Sequence, residues 1–318
     1  MSVACLGELL IDFVALESGV TVGDASGFQK APGGAPANVA VAVARLGQKS
    51  AFLGQVGDDP FGHYLAGVLQ ENEVDTRGLT FSAEARTALA FVSLAAHGER
   101  SFVFYRNPSA DMLMRPEDVA TSVIDGYGAF HFGSITMIGE PSRSATLHAV
   151  DYARKAGKLI SYDPNLRLSL WNSPEEARAG MLAGLDLGIH ILKISDEELR
   201  FLLPGVDVTD DDPVAPLWRP GMKLICVTRG ADGAIVYTRD GQIAEHEGFT
   251  VSAIDTTGAG DSFVAALLTQ VLAYGDAYPR HLSEIVRFAC ATGALTTTGR
   301  GAIPSLPTTQ QVLAFMNG

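Results

Sequence analysis

The sequence predicts an α/β fold with a mostly parallel central sheet, and a second, small β-sheet beside it. The main observation is that short apolar segments of strand length alternate with segments of helical apolar spacing. Strands separated by helices of this length are typical of βαβ units, which build parallel sheets. The second observation is a β-rich pair of segments that is joined by a turn and has no helix attached. Such a pair indicates a hairpin outside the main sheet.

The predicted elements follow in chain order. Strands are predicted at 3–6, 9–16, 50–56, 129–132, 159–163, 189–194, 223–228 and 233–237. Helices are predicted at 35–46, 60–70, 141–155, 261–273 and 282–297. The hairpin comprises 87–94 and 101–105, with the turn AAHGER between them, and the extended, glycine-containing segment 12–30 is expected to join its sheet. No internal repeat or low-complexity tract interrupts this order.

Composition and charge limit the classes of partner. The chain has 318 residues, of which 47% are hydrophobic and 19% charged, as in well-packed globular proteins. This length allows one large domain or two. The net charge of −13 argues against nucleic acid or an anionic membrane as the main partner. An anionic substrate remains compatible with it, because a local cationic or backbone site can work inside an acidic protein.

The cysteines and the N-terminal segment indicate a location. Cys5, Cys226 and Cys290 each lie in an apolar stretch and form no CxxC pair, so we expect buried free thiols in a reducing compartment. The start MSVACLGELL has neither a basic segment nor a cleavage pattern, and no apolar run reaches the length of a membrane span. We therefore expect a soluble, cytoplasmic protein.

Several common site motifs are missing from the sequence. There is no GxxxxGK[ST], no GxGxxG that opens a helix after a strand, and no HRD or DFG. P-loop, dinucleotide-binding and protein-kinase machinery are therefore not expected. The seven histidines show no metal-ligand spacing, so a structural zinc site is not expected either. Asp58 and Asp59, in VGDDPFG after a strand, are interpreted as turn or cap residues.

The segment TTGAGDSFVAALL, at 256–268, indicates an anion site with a carboxylate beside it. Gly258 and Gly260 allow backbone N–H groups to turn inward, and the following helix adds its positive N-terminal end. Asp261 lies in the first turn of that helix. If Asp261 only capped the helix, the preceding glycine pair would not be needed. If Asp261 is a general base beside a bound phosphate, the glycines allow backbone N–H groups to bind that phosphate. Phosphoryl transfer requires this combination of charge neutralisation and a proton acceptor.

The segment PGGAPANVAVAVARLG, at 32–47, forms the second cluster. Gly33 and Gly34 permit close approach of a ligand, and Asn38 projects from the start of an apolar helix. Asn38 could instead satisfy loose backbone groups at the helix start. Asp12, in LLIDFV, is likewise a carboxylate in a hydrophobic strand, and such groups are costly to bury without partners. Two of them beside a glycine pair suggest a polyol ligand.

Together these clusters resemble the signatures of the ribokinase-like (PfkB) carbohydrate kinases, over essentially the whole chain. GGAPANVAVAVARLG is similar to the N-terminal signature and DTTGAGDSFVAALL to the C-terminal one. GELLIDFV, ARTALAFVSL, FYRNPSADMLM, SYDPNLRLSLW and TTTGRGAIPSLPT resemble the fructokinases of this family. The resemblance implies a three-layer αβα kinase domain over 1–318, with a β-sheet lid formed by about 12–30 and 86–107. It also implies ATP-dependent phosphorylation of fructose at the 6-hydroxyl.

The resemblance also assigns site residues. Asp261 matches the catalytic base, and Gly258, Ala259 and Gly260 match the anion hole. Positions that match sugar or phosphate contacts are Asp12, Gly33, Gly34, Asn38, Arg106, Asn107, Asn165 and Arg167. Positions that match nucleotide contacts are Lys193, Glu198, Thr228, Gly230, Gly258 and Gly260, together with Cys290, where plant fructokinases commonly have an asparagine near the adenine.

Metal ions and partners follow from the same resemblance. Glu198 matches an acidic residue linked to Mg²⁺, although Ser195 replaces the asparagine of the usual N-x-x-E pattern. Asp255, Thr257, Gly301 and Ser305 match a region where relatives often bind K⁺. A homodimer is expected, because lid sheets in this family often pair between subunits. Two alternatives stay open: a kinase for another sugar or sugar acid, such as ribose or 2-keto-3-deoxygluconate, and a non-catalytic regulatory relative.

Overall fold

The structure, a computed structural model, describes residues 1–94 and 100–318. The strands of the described chain, β1 to β13, are Ser2–Leu6, Leu10–Ser18, Phe28–Gly33, Lys49–Gly57, Asp75–Ser82, Leu89–Leu94, Arg100–Tyr105, Ala129–Gly133, Leu159–Asp163, Ile191–Ser195, Leu224–Thr228, Ala234–Thr238 and Ile243–His246. The α-helices, α1 to α10, are Ala35–Arg45, Pro60–Glu71, Thr121–Asp125, Ser142–Lys155, Pro174–Leu185, Asp196–Leu202, Ala259–Tyr274, Leu282–Thr296, Ala302–Ser305 and Thr309–Asn317.

Nine strands form a large, mostly parallel sheet. Its order is β13-β12-β11-β10-β9-β8-β1-β4-β5. The pairs β11–β12 and β12–β13 are antiparallel, and the other neighbouring pairs are parallel. Only residues 229–233 separate β11 from β12, which is too short for the crossover that a parallel pair needs. The prediction of a mostly parallel sheet is confirmed.

Both faces of the large sheet are covered, so its strands are apolar throughout. In β1, Val3 and Cys5 pack into a core with α1, α7 and α8, whereas Ala4 and Leu6 pack into a second core with α4 and α5. This alternation follows from the two-residue period of a strand. Helices α1 and α7 also pack against each other, which brings their N-terminal ends to one side of the sheet.

Four strands form the small sheet, in the order β3-β2-β6-β7. One face carries Phe102 and Phe104 of β7, and Phe104 packs on Leu10 and Ala90. The opposite face is aromatic as well: Phe91 stacks on Phe13 at 5.1 Å between ring centroids. The predicted hairpin is present as β6 and β7, which pair antiparallel. Residues 95–99 of its predicted turn lie outside the described residues.

Several boundaries and elements differ from the predictions. Helix α7 begins at Ala259 instead of Asp261, because Gly258 at φ 82° caps it and both following small residues are helical. Segment 12–30 is interrupted, since β2 ends at Ser18 and β3 begins at Phe28. Elements that the sequence analysis did not predict include β5, β13, α5, α6 and α10. Within the described residues, no helix is both long and apolar enough to cross a membrane.

Candidate active site

The candidate site lies where the carboxyl ends of parallel strands meet the N-terminal ends of α1 and α7. Asp163 ends β9, Ser195 ends β10 and Thr228 ends β11, and these three strands are neighbours. In open α/β sheets, ligands bind at this edge. The topology therefore collects residues that are far apart in the sequence.

Asp261 occupies the first turn of α7 and is held by Asn38 of α1. The Asn38 side-chain amide donates a hydrogen bond of 2.7 Å to Asp261 Oδ2. Asn38 is buried, as the sequence analysis expected, and its Oδ1 is buried without a hydrogen-bond partner in the structure. Packing of α1 on α7 thus joins two residues that the sequence analysis placed in separate clusters.

The backbone around Gly258 makes the N-terminus of α7 available to an anion. The positive φ of Gly258 is a conformation that favours glycine, and a methyl group there would lie 2.7 Å from Ala302 Cβ. Ser262 N–H already donates to Gly258 O within the helix. The N–H groups of residues 259–261 have no intrahelical acceptor. Ala259 N–H donates to Thr256 O at 3.3 Å, so Gly260 and Asp261 supply the more available donors.

The environment of Asp261 favours its protonated form more than water does. Burial raises the pKa of Asp261 to about 6, and the nearby Asp163 carboxylate acts in the same direction. The Asn38 hydrogen bond and the charges of Lys193 and Arg167 oppose this rise in pKa. A carboxylate with this pKa is ionised near neutral pH and can still accept a proton effectively, as a general base must.

Lys193 is a buried cation beside the glycine turn. Its Nζ lies 3.0 Å from Asp163 Oδ2, and a Cβ on Gly260 would lie 3.1 Å from the same Nζ. Burial by itself would lower the pKa of Lys193, but the charges of Asp163 and Glu198 outweigh burial and raise it. Lys193 is therefore a fixed positive charge next to the proposed anion hole. Asp163, its partner, was not identified in the sequence analysis.

Glu198 fixes the loop that follows β9. One carboxylate oxygen accepts a hydrogen bond of 2.8 Å from Ser195 N–H, and the other accepts one of 2.7 Å from Leu166 N–H. Ser195 Oγ in turn accepts from Glu198 N–H, which completes a capping box at the start of α6. Burial raises the pKa of Glu198, and the charge of Lys193 opposes the rise. Both carboxylate oxygens thus accept hydrogen bonds from the backbone, and they hold the loop after β9 against the start of α6.

The loop held by Glu198 presents Asn165 and Arg167. Asn165 has a left-handed backbone, with φ 50°, and its side-chain oxygen accepts a hydrogen bond of 2.7 Å from Arg167. The residues of this loop line a cavity of about 220 Å³, which we call the helix-side cavity. Its lining residues are Asn165, Leu166, Arg167, Lys193, Ser195, Glu197 and Glu198. Arg167 and Lys193 give this cavity two cations that can bind phosphate oxygens, and Glu197 and Glu198 add two carboxylates to its lining.

A second, narrow cavity, of about 20 Å³, lies between the small sheet and the loop at Gly301, and we call it the sheet-side cavity. From the small sheet it is lined by Asp12, Val14, Ala31, Val92 and Phe102. Asp255, Thr257, Gly301 and Ala302 line the opposite wall. A methyl group on Gly33 would overlap the Asp12 carboxylate, so glycine is required where that carboxylate lies against the chain.

Asp255 connects the loops that precede α7 and α9. Its Oδ1 accepts hydrogen bonds from Thr257 N–H, at 2.9 Å, and from Thr257 Oγ1, at 2.6 Å. Its Oδ2 accepts one of 2.8 Å from Gly301 N–H. Ser305 lies in the same region, and its hydroxyl donates to Arg300 O. The four residues predicted to lie near a potassium ion therefore belong to one loop cluster.

Arg106 is buried below the small sheet. Its Nε lies 3.1 Å from Asp111 Oδ2, and both side chains are at most 6% exposed. Beside them, Glu8 accepts a hydrogen bond of 2.9 Å from Ala35 N–H, and burial raises the pKa of Glu8 to about 7. Asn107, in contrast, is exposed. Glu8 and Asp111 were not identified from the sequence, where their only signal is a carboxylate within an apolar segment.

The remaining positions predicted to contact nucleotide lie at the end of β11, in the turn after it or on α8. The Thr228 hydroxyl is 3.4 Å from Ile194 O, and Gly230 has φ 57° in the turn that follows. Cys290 is buried in α8, and burial raises the pKa of its thiol to about 12. Cys290 is therefore a neutral group.

The described residues contain no cluster of three or more His, Cys, Asp or Glu side chains that could hold a metal ion. Glu198 supplies both oxygens to backbone N–H groups. This donor set fits a Mg²⁺ ion that arrives on nucleotide phosphates and reaches the protein through water.

Comparisons with known proteins agree with this architecture. The pfkB family carbohydrate kinase model matches residues 1–309. The chain is 53% identical to a probable fructokinase-2 of Arabidopsis thaliana, over 99% of this chain and 95% of that protein. The structure resembles that of a Xylella fastidiosa fructokinase with bound ATP, with a TM-score of 0.89, 35% identity and coverage of 99% and 98% of the two chains.

A fructokinase double mutant from Vibrio cholerae O395, solved with fructose, ADP and a potassium ion, has a TM-score of 0.87 and 36% identity, with coverage of 99% of this chain and 98% of that one. The ribokinase-like fold predicted from the motifs is confirmed. The chain belongs to the pfkB family of carbohydrate kinases and is a sugar kinase.

Proposed function

We propose that this sugar kinase is a fructokinase that transfers the γ-phosphoryl group of ATP to the 6-hydroxyl of fructose. The observation that carries the proposal is the contact between Asn38 and Asp261 at the N-terminus of α7, with Lys193 beside the adjoining glycine turn. This arrangement combines a proton acceptor, backbone donors and a fixed cation. The fructokinase names of its relatives support fructose as the sugar.

The sugar is proposed to bind against the small-sheet wall of the sheet-side cavity, which must widen to admit it, because about 20 Å³ holds little more than one water molecule. The Asp12 carboxylate lies against Gly33 on one wall, where it can accept hydrogen bonds from sugar hydroxyls. Apolar side chains of the same wall, Val92 and Phe102, suit the carbon skeleton of a sugar. Gly34, Arg106 and Asn107 are proposed to shape this wall, and Asn38 to contact the hydroxyl next to Asp261.

Phosphoryl transfer is proposed to depend on Asp261 and on the charges of the helix-side cavity. Asp261 accepts the proton of the attacking hydroxyl, so that the oxygen can bond to phosphorus as the bond to ADP breaks. The N–H groups of the turn formed by Gly258, Ala259 and Gly260, chiefly that of Gly260, and the Lys193 ammonium stabilise the charge on the transferring group. Asn165 and Arg167 orient the phosphates, while Thr228, Gly230 and Cys290 adjoin the rest of the nucleotide.

Two cations are proposed to assist. Mg²⁺, held by the nucleotide phosphates and linked to Glu198 through water, would neutralise phosphate charge. K⁺ would bind at the cluster of Asp255, Thr257, Gly301 and Ser305 and stiffen the loop before α7. The Asp255 hydrogen bonds to Thr257 and Gly301 support this location, because they already tie the two loops together.

The small sheet is proposed to act as a lid within a single domain, 1–318, and to exclude water from the transferring group. A homodimer through this sheet is also proposed, in the cytoplasm. Leu16, Val103 and Tyr105 support it, because these large side chains are 60%, 41% and 63% exposed. Sedimentation equilibrium tests this proposal, and a monomer at micromolar concentration would refute it.

A panel of free sugars tests the proposed function. ADP release is measured with fructose, glucose, mannose, ribose and 2-keto-3-deoxygluconate, with and without K⁺, and ³¹P NMR identifies the phosphorylated position. We expect the highest kcat/KM with fructose, the 6-phosphate as product, and a higher rate with K⁺. A preference for ribose or the keto acid would refute the fructose assignment. Absence of ADP release with every sugar would refute the assignment of a catalytic function.

A further inference from the structure

A side-chain contact connects the two cavities of the site. Phe102 of the small sheet lines the sheet-side cavity, and Arg167 lines the helix-side cavity. The Arg167 guanidinium carbon lies 5.6 Å from the centroid of the Phe102 ring. A guanidinium over an aromatic face at this distance is attracted to the ring.

The other contacts of Arg167 come from its own loop. The guanidinium donates to Asn165 Oδ1 at 2.7 Å and to Leu166 O at 2.9 Å. Leu166 is itself held by Glu198. Phe102 therefore adds to the Arg167 guanidinium a contact from outside this loop. The charge of Arg167 also reaches Asp261 and lowers its pKa.

We propose that Phe102 is a positioning residue, which holds Arg167 over the phosphate-binding cavity and makes this placement depend on the small sheet. Phe102 lines the sheet-side cavity, so a sugar bound against this wall of the small sheet contacts the same ring that holds Arg167. Sugar binding thereby stabilises the arrangement of Arg167 that serves phosphoryl transfer. This inference rests on the proposed function, because it takes the two cavities as the sites of sugar and ATP.

A double-mutant cycle tests the coupling, with whichever sugar gives the highest wild-type turnover. Phe102→Leu keeps apolar volume but removes the ring, and we expect it to lower kcat about fivefold. Phe102→Tyr keeps the ring and should retain more of the wild-type kcat than Phe102→Leu does. In an Arg167→Gln background, Phe102→Leu should lower kcat by less than about twofold, because no cation remains to be positioned.

Phe104→Leu is the matched control, since Phe104 lies on the same face of β7, stacked 5.8 Å from Phe102, and packs on Leu10. Phe104→Leu should lower kcat by the same factor in the wild-type and Arg167→Gln backgrounds. Equal losses from Phe102→Leu in both backgrounds would overturn the proposal, as would a Phe102→Leu variant that raises only the KM for sugar.

The pH profile is a second readout if Arg167→Gln is too slow for the cycle. Displaced Arg167 no longer lowers the pKa of Asp261, so the acid limb of kcat/KM should move to higher pH in Phe102→Leu. An unmoved limb would contradict the proposal. Failure of the proposed function can be told apart from failure of this inference. It would appear in the wild-type protein, as a different preferred sugar or as absent turnover.

Discussion

Removal of the Asn38 amide should shift the pH dependence of catalysis. Asn38→Leu keeps the approximate shape of the side chain and deletes the 2.7 Å hydrogen bond to Asp261. That hydrogen bond lowers the pKa of Asp261, which burial has raised to about 6. Without it the carboxylate should protonate at higher pH, and because the ionised form is the base, activity should be lost at higher pH.

The magnitude follows from the hydrogen bond. A hydrogen bond to a charged group contributes about 1.5–3 kcal/mol, and about 1.4 kcal/mol corresponds to one pKa unit. Asp261 is partly exposed, which favours the lower end of this energy range. We therefore expect the acid limb of the pH profile to shift by about one pH unit.

The assay is kcat/KM for sugar measured between pH 5 and 9, because its acid limb reports the pKa of the base in the free enzyme. Gln55→Leu is the matched control, since Gln55 is another buried amide, bonded to Thr80 and not to Asp261. Its acid limb should coincide with that of the wild type. An Asn38→Leu variant with the wild-type limb would refute the assignment of this hydrogen bond as a determinant of the base.

Two further predictions concern stability. The pKa of Glu8 is about 7 in the folded protein, against an ordinary value of 4.5, so its contribution to stability is full below pH 4.5 and falls as pH rises towards 7. Glu8→Gln should therefore raise the free energy of unfolding by up to about 3 kcal/mol at pH 8, with no gain near pH 4.5. Urea unfolding at both pH values checks this, and an equal gain at each would contradict it. Lys193→Met should destabilise the protein by about 3 kcal/mol, because it leaves the buried Asp163 carboxylate without its partner. Adding Asp163→Asn should recover part of this loss in thermal unfolding, and no recovery would refute the pairing.

Local patterns in the sequence predicted the fold class and most of the elements. The apolar strands, the helix caps and the small-residue turn before α7 can each be recognised from about ten neighbouring residues. Helix boundaries were predicted less accurately where a glycine was taken to lie outside the helix. Gly260 belongs to α7, because the cap is formed two residues earlier, at Gly258.

The pairings inside the site could not be predicted in the same way. Asn38 and Asp261 are 223 positions apart, and Lys193 and Asp163 are 30 apart. Only the packing of α1 on α7 and the adjacency of β9 and β10 bring them together. Asp163, Glu8 and Asp111 were missed because a carboxylate in an apolar strand or loop gives no local sign of which partner it will find.

The most direct test of the central claim is turnover of Asp261→Ala with its ligand binding measured in parallel. Binding of fructose and of a non-hydrolysable ATP analogue is followed by calorimetry, and kcat is taken from ADP release at pH 8. We expect kcat to fall by about 10²–10⁴-fold, the usual contribution of a general base, while both ligands bind within a few-fold of the wild type. A variant that keeps the wild-type kcat would show that Asp261 is not the base.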